Sequence, residues 1–435
     1  MRAAFLTLGC KVNYYETEKM ILDFSEHGFT IVDFDRSADI YIVNTCTVTN
    51  IADRKSRQML HRARKNNPSA LIVAVGCYVD GVKRENRAAD IFEEEGILAF
   101  GNEDKPELAA KLTDILKNDT ISVHNNKPSN ENERTRAFIK VQDGCNQFCS
   151  YCLIPYVRGG GRLSSVPVDE VLDEVRRYAS LSRREIVLTG IHLSSYGITD
   201  PMRDAFTSDG GRHLSELILR VAEVPGIDRI RLGSLEPRII SESFLDALTG
   251  CEKLMPHFHL SLQSGCDSVL TNMNRRYTTD EYQKSTELIR KYYDRPAITT
   301  DVIVGFPGES DEDFTQTLEF VKKIGFADLH VFQYSMRDGT KASRMSGQIA
   351  PEVKKERSER LIETGELLRK KYIASLAGLV PDILFEEEAE YGGEKYLAGF
   401  SKRYVRYGLK MEDAARLGIK AGMIKRTERA ELIMK

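Results

Sequence analysis

Gly144-Cys145-Asn146-Gln147-Phe148-Cys149-Ser150-Tyr151-Cys152 spaces three cysteines as C-x-x-x-C-x-x-C directly after the apolar run Arg136 to Val141. Three thiolates fall one short of the four-thiolate shell of a 4Fe-4S cube and leave one iron open to another ligand. A structural zinc site wants four ligands, usually as C-x2-4-C pairs, and neither a fourth Cys nor a His lies nearby in sequence. The alternative is three ordinary core thiols, because free Cys is among the most buried residue types. Tight clustering in a strand-then-loop context argues against it.

At 435 residues the chain has room for two or three domains with full cores. Its 41% hydrophobic and 29% charged residues describe an ordinary soluble composition. The run Ala3 to Leu8 is too short for a signal-peptide core or a membrane span, so the expectation is a cytoplasmic protein with no membrane partner. Eight cysteines in such a chain read as metal ligands or core residues, not as a disulfide framework. A formal net charge of −3 says little, and no internal repeats appear.

From the start to about Asn125, short apolar runs alternate with amphipathic stretches of helical period, the pattern of a parallel sheet covered by helices. The expected strands are Ala3 to Leu8, Asp39 to Asn44, Leu71 to Val75, Ile97 to Phe100 and Ile121 to His124. The first three run into Cys10, Cys46 and Cys77. Carboxyl ends of parallel strands share one edge, where such sheets bind ligands, so these cysteines converge. Three unrelated buried thiols are the competing reading. Their shared place in successive strand-turn-helix units argues against it. After Cys46, Arg54 to Lys65 carries six Lys or Arg and no acid, either a plain exposed helix or a face for RNA phosphates.

The polar, Asn-rich stretch His124 to Thr135 reads as a linker. Six strand candidates follow, separated by helical segments: Arg136 to Val141, Glu185 to Ile191, Arg229 to Ser234, His257 to Gln263, Thr299 to Gly305 and Asp328 to Ser335. Six units are too few to close an eight-unit barrel and predict an open one, with Cys145, Cys149 and Cys152 at the carboxyl end of its first strand, where barrels put their chemistry. Gln263 and Arg337 also fall at strand ends, as functional groups or as loop caps. Cys251 and Cys266 match no motif and read as structural. Ala350 to Lys371 reads as a surface helix. Beyond it, Asp382 to Phe385, Tyr404 to Tyr407 and Glu431 to Met434, with glycines between, predict a small β domain. From Tyr391 onward there are 11 Lys or Arg against 5 Asp or Glu, with Tyr396, Phe400, Tyr404 and Tyr407 among them. That combination suits phosphate attraction with base stacking, or a charged surface over a small aromatic core.

Extended through Leu153-Ile154-Pro155-Tyr156-Val157-Arg158-Gly159, the three-cysteine segment resembles the radical S-adenosylmethionine (SAM) signature as methylthiotransferases carry it. Leu8-Gly9-Cys10-Lys11-Val12-Asn13, Asn44-Thr45-Cys46-Thr47-Val48 and Val75-Gly76-Cys77-Tyr78 resemble segments of that family's N-terminal domain, and Asp301 to Glu309 resembles its adenine-contacting element. The resemblance covers essentially the whole chain and implies an α/β architecture in order. A flavodoxin-like parallel-sheet domain would span 1–125, a linker 126–135, an open (β/α)6 radical SAM partial barrel 136–370, and a small TRAM-like RNA-binding β-barrel 371–435. It implies two 4Fe-4S clusters, each with an open iron. One would be held by Cys145, Cys149 and Cys152, where the SAM amino and carboxylate groups chelate the iron, and an auxiliary one by Cys10, Cys46 and Cys77. Thr189 and Gly190 would receive the methionine amino group, Ser234 and Glu236 would approach the ribose, and the main chain of Val304 and Gly305 would meet the adenine.

The implied reaction is reductive cleavage of SAM to a 5′-deoxyadenosyl radical and hydrogen abstraction from an aromatic carbon. A sulfur on the auxiliary cluster, methylated by a second SAM, would then be delivered to carbon 2 of the adenine. Lys140-Val141-Gln142-Asp143-Gly144-Cys145-Asn146 is most similar to the threonylcarbamoyladenosine branch. The implied substrate is that nucleoside at position 37, in the anticodon stem-loop of tRNA, with a low-potential electron donor such as flavodoxin or ferredoxin and a sulfur donor left unnamed. Isopentenyladenosine tRNA, or an Asp of a small-subunit ribosomal protein, are alternative acceptors. The basic last domain would repel the cationic second of these. A reading from another class, a non-catalytic RNA-binding iron-sulfur redox sensor, has no use for the SAM-adenine segment ending at Glu309.

Overall fold

A computed structural model of the chain describes residues 1–85, 89–117 and 135–433. The expected strand Ile121 to His124, the linker apart from Thr135, and Met434 lie outside the described residues. The chain divides into two units.

The first unit comprises Met1–Glu133, Gly144–Arg162 and Ser335–Ser343. Its strands are β1 (Arg2–Thr7), β2 (Thr30–Val32), β3 (Ile40–Thr45), β4 (Leu71–Gly76) and β5 (Ile97–Phe100), and its helices α1 (Lys11–Glu26), α2 (Asn50–Asn66), α3 (Cys77–Arg84), α4 (Leu108–Lys117) and the single turn α5 (Ile154–Val157). The sheet is parallel throughout, in the order β2-β1-β3-β4-β5. That is the flavodoxin-like order, whose connections reverse direction between β1 and β3 and open a crevice there. β3 and β4 are almost wholly buried because helices cover both faces. One core packs Met59, Leu60 and Ala63 of α2 under the sheet, the other Met20 and Phe24 of α1 with Leu108 and Leu112 of α4. The three-residue edge strand β2 went unexpected.

The second unit comprises Arg134–Asp143, Leu163–Tyr334 and Arg344–Lys435. Strands β6 (Arg136–Asp143), β7 (Ser164–Ser165), β8 (Glu185–Gly190) and β9 (Arg229–Leu232) form one sheet in the order β7-β6-β8-β9, and β10 (His257–His259), β11 (Ala297–Val304) and β12 (Asp328–Gln333) another. Apart from the antiparallel β7, all pairs are parallel, and the bridges Ile230 to Leu254 and Leu235 to Leu260 carry the curve from β9 towards β10. The six expected strands thus form an open partial barrel. Helices α6 (Val168–Ser180), α7 (Ala205–Asp209), α8 (Arg212–Ala222), α9 (Glu242–Leu248), α10 (Asp267–Asn272), α11 (Thr279–Tyr292), α12 (Asp311–Ile324) and α13 (Pro351–Ser375) complete it. Among the described residues no helix is long and apolar enough to cross a membrane.

The chain ends in an antiparallel sheet, β16-β13-β14-β15-β17, of β13 (Asp382–Tyr391), β14 (Glu394–Ser401), β15 (Arg406–Lys410), β16 (Ile424–Arg426) and β17 (Glu431–Leu432), with α14 (Met411–Leu417) between β15 and β16. Gly392 and Gly393 turn β13 into β14 with φ of +59° and +80°, a two-residue turn that favours glycine at both places. Arginines at the amino ends of β6 and β9, buried in the case of Arg229 and Arg231, fasten this sheet to the barrel. Arg229 donates to the Asp382 carbonyl at 2.8 Å, Arg231 to the Ser401 carbonyl at 2.8 Å, and Arg136 to Glu386 at 2.8 Å. Phe400 and Tyr404 stack on each other at 4.6 Å, with Arg136 over Phe400, Arg231 over Tyr404 and His257 stacked on Tyr404. Tyr396 is buried. The reading of these aromatics as a base-stacking platform is therefore corrected, since their faces are used in packing. Lys395, Lys420, Lys425 and Arg426 remain exposed.

Candidate active site

Cys10, Cys46 and Cys77 follow β1, β3 and β4 at the carboxyl edge of the parallel sheet, two of them flanking its switch point. Cys10 caps α1 and Cys77 begins α3, so main-chain N–H groups of helix N-termini lie at hand to stabilise thiolate charge. Gly9 has φ of +100°, and a Cβ there would stand 2.9 Å from both Cβ and Sγ of Cys46. Only glycine lets the strand end pass this close. Burial, with smaller contributions from Cys77 and Cys10, pushes the Cys46 thiol up to about 12. Three crowded thiols, none in a disulfide, form a donor set suited to a metal cluster, whose binding would displace their protons.

The segment after Cys152 reaches this place. Arg158, buried, pairs with Glu16, stands 3.8 Å from Cys77 Sγ and 3.5 Å from Asn13 Oδ1, and shares Glu16 with Lys105, whose Nζ is 2.6 Å away. The Asn102 amide lies 3.5 Å from Cys77 Sγ and donates to the Val157 carbonyl at 3.2 Å. Arg337, expected only at a strand end, belongs to this unit. Its guanidinium holds Thr47, Asn50 and Asp53, at 2.6, 2.6 and 2.7 Å. Cys145, Cys149 and Cys152 are half-buried in the same unit. Their loop turns through Phe148 at φ of +46°, and the Ser150 carbonyl accepts from the Ala342 N–H at 2.7 Å.

In the second unit, Thr189 is buried at the end of β8, and a Cβ on Gly190 would meet Gln142 at 2.9 Å, which accounts for that glycine by close strand packing. Ser234 is exposed beyond β9. Glu236 accepts at one carboxylate oxygen from Arg238 Nε at 2.7 Å and at the other from the Arg238 N–H at 2.9 Å, capping the turn Pro237–Ile239. Val304 is buried, its carbonyl accepting from the Tyr334 N–H, while the Gly305 N–H donates to Glu309 at 2.6 Å. Arg357 holds Glu309 from α13 at 2.7 Å. Gln263 has φ of +70° and bridges to Val302.

Residues 139–321 match the model of the Radical SAM superfamily, and residues 2–97 that of the uncharacterized protein family UPF0004. The chain is 37% identical over 416 residues to the threonylcarbamoyladenosine tRNA methylthiotransferase MtaB of Bacillus subtilis (strain 168), covering 93% of this chain and 89% of that protein. The chain belongs to the radical SAM methylthiotransferase family, in its threonylcarbamoyladenosine branch. A tRNA-2-methylthio-N(6)-dimethylallyladenosine synthase of Acetivibrio thermocellus is 34% identical, over 87% of this chain and 79% of that one. Among solved structures, the radical SAM methyltransferase TsrM of Kitasatospora setae, with tryptophan and a SAM analogue bound, aligns with a TM-score of 0.55 over 76% of this chain and 73% of that one. At 15% identity this is agreement in fold. Methylthiotransferases of this family work with SAM and two 4Fe-4S clusters.

For a methylthiotransferase, two polar groupings stand out that the sequence reading passed over. His259 Nε2 is 3.3 Å from Asp301 Oδ2, its Nδ1 is 3.0 Å from Thr299 Oγ1, and His330 pairs with Asp301 across β11 and β12. Leu329 and Val331 pack on the core from the opposite face of β12, so the three polar side chains share the face turned away from it. A period-2 scan of His257 to His259, Thr299 to Asp301 and Asp328 to His330 would have found them. The second grouping surrounds His192, just beyond β8.

Proposed function

We infer that this chain transfers a methylthio group to carbon 2 of N6-threonylcarbamoyladenosine at position 37 of tRNA. The observation that carries the reading is the convergence of Cys10, Cys46 and Cys77 on one sheet edge, in a family chain that also bears the C-x-x-x-C-x-x-C loop. Cys145, Cys149 and Cys152 hold the cluster that SAM chelates. Cys10, Cys46 and Cys77 hold the auxiliary one, with Asn102 and Arg158 set beside the Cys77 sulfur. When bound, these groups supply one-electron chemistry and a transferable methylsulfur group. Thr189 and Gly190 lie beside the methionine end of SAM, Ser234 beside its ribose, and the turn Val304 to Gly305, braced by Glu309, beside its adenine. Glu236, held by Arg238, lies with Ser234 on the ribose side. Residues 371–435 contribute exposed cations to the anticodon stem-loop, joined to 136–370, with 126–135 as the linker from 1–125. Flavodoxin or ferredoxin delivers the electrons.

The test is mass spectrometry of tRNA nucleosides from cells with and without the gene. The 2-methylthio derivative disappears and its precursor accumulates in the deletion. Neither Cys149→Ala nor Cys46→Ala restores it. An unchanged nucleoside pool, in cells with no second such enzyme, sinks the assignment.

A further inference from the structure

We propose that His259, Asp301 and His330, on three neighbouring strands of the barrel, bind a divalent transition-metal ion such as Zn²⁺ or Fe²⁺, apart from the six cluster cysteines. The function inferred above does not call for this ion, and the two readings are tested separately.

The strand order β10-β11-β12 and its register set the three side chains side by side. His259 stands opposite Thr299, and Asp301, two places further along β11 and so on the same face, stands opposite His330. Ile298, Val302 and Val304 of β11 turn into the core on the other face, with Leu329 and Val331 of β12. One donor atom from each of the three residues lies within 4.8 Å of the other two, with His259 and Asp301 half-buried and His330 exposed. The next pair on this face, Ile303 and Phe332, is apolar, a flank that limits the water competing for an ion.

The hydrogen bonding turns lone pairs towards one another. His259 Nδ1 is 3.0 Å from Oγ1 of the buried Thr299. With that nitrogen donating its proton to Thr299, Nε2 carries a lone pair, 3.3 Å from Asp301 Oδ2. Metal-bound imidazole is oriented in this way, its other N–H held by an oxygen acceptor. Two lone-pair atoms facing each other at that distance repel unless a cation stands between them. Among the described residues no Lys or Arg pairs with Asp301, whereas Asp328, two places before His330 on the same face, is taken by Arg369 at 3.0 Å. A proton shared between His259 and Asp301 would occupy two of the three groups and give His330 no part. An ion uses all three.

The distances suit such an ion. Zinc holds nitrogen at about 2.0–2.1 Å and carboxylate oxygen at about 2.0–2.2 Å, so two of its ligands at the tetrahedral angle stand about 3.4 Å apart. His259 and Asp301 already have that spacing, and the exposed His330 ring closes a remaining gap of at most about 1.4 Å by turning about its χ angles. Two imidazoles and one carboxylate favour zinc or ferrous iron over magnesium, which takes oxygen ligands in an octahedron. Three protein ligands leave a position for water or a substrate oxygen, as in catalytic and not structural zinc sites.

The test is anaerobic equilibrium dialysis of Zn²⁺ against reconstituted holoenzyme, in which clusters already occupy the six cysteines, with zinc and iron read by plasma mass spectrometry. Wild type takes up one Zn²⁺ per chain without losing iron, and a roughly hundredfold excess of Mg²⁺ does not displace it. Zinc K-edge X-ray absorption shows two imidazole nitrogens and a carboxylate oxygen, with no sulfur. His259→Ala, Asp301→Asn and His330→Ala each weaken binding by at least about tenfold, and Thr299→Val, which removes only the oxygen that aims His259, by about tenfold, all at wild-type iron content. A wild type that takes up no zinc overturns the proposal without any substitution and leaves His259 and Asp301 as a proton-bridged pair. Sulfur in the zinc shell, the mark of capture by cysteine, overturns it too, as does wild-type affinity in the Asp301 and His330 variants. None of these outcomes bears on the nucleoside assay above, whose failure would in turn leave the ion in place.

Discussion

The guanidinium of Arg337 donates to the hydroxyl of Thr47 at 2.6 Å, across 290 positions of sequence, one residue from Cys46. The Thr47 hydroxyl donates in turn to Asp53 at 2.8 Å, and Asp53 pairs with Arg337 at 2.7 Å, so the three groups close a ring that fixes the loop after β3. Removing Arg337 leaves a carboxylate that burial already pushes upward without its cation. For Arg337→Ala we expect a local loss of roughly 3 kcal/mol, read as about a hundredfold faster amide exchange over Cys46 to Ala52. Arg337→Lys recovers only part, because one ammonium cannot make the same fork.

Gly9→Ala places a methyl group 2.9 Å from Cys46 Sγ at a φ of +100°. The protein should fold, because the edge is at the sheet's end, but the three thiols can no longer close on one centre. Reconstitution should then yield roughly half the wild-type iron and sulfide, with SAM binding kept. Full iron content in this variant would contradict the auxiliary site.

Arg158→Gln removes the cation beside Cys77 while keeping an amide of similar reach. Cluster potentials depend on net charge and on hydrogen bonds to sulfur. In a background lacking Cys145, Cys149 and Cys152, the remaining cluster should become harder to reduce, by about 60 mV if the reduced form loses tenfold in stability. Arg158→Lys should restore most of the shift, and an EPR-monitored redox titration reads both.

Asp313 caps α12, accepting from the Ser310 N–H at 2.9 Å and hydroxyl at 2.7 Å and from Ser268 at 2.8 Å. Burial raises its pKa, but these donors together with the Cys266 thiol outweigh burial and hold it at about 2. The folded value lies below the unfolded one, so the stability is present above about pH 4 and is lost as pH falls towards 2. Asp313→Asn should lower Tm at pH 6, and the gap from wild type should close on acidification. The same contacts give Cys266 a structural place, as its lack of a motif suggested.

Much of the frame was legible because parallel strands covered on both faces must be continuous apolar runs, as in Ile40 to Asn44 and Leu71 to Val75. The cysteines were legible because topology, not contact, brings them together. β2 and β7 were not, being three and two residues long. Nor were the roles of Arg158 and Arg337, whose partners Glu16 and Thr47 are 142 and 290 residues distant. Composition could not separate aromatics packed in a seam from aromatics offered to a base, and for Phe400 and Tyr404 packing decided it.

The ring closed by Arg337 also sets a clock for biosynthesis. Asn50 and Arg337 are 287 residues apart, so at roughly 5–20 residues per second the sheet edge leaves the ribosome about 15–60 s before its latch. Through that interval Cys10, Cys46 and Cys77 stand on a nascent sheet whose loop is not yet fastened, open to whatever delivers iron and sulfide, and completion of the chain shuts the door.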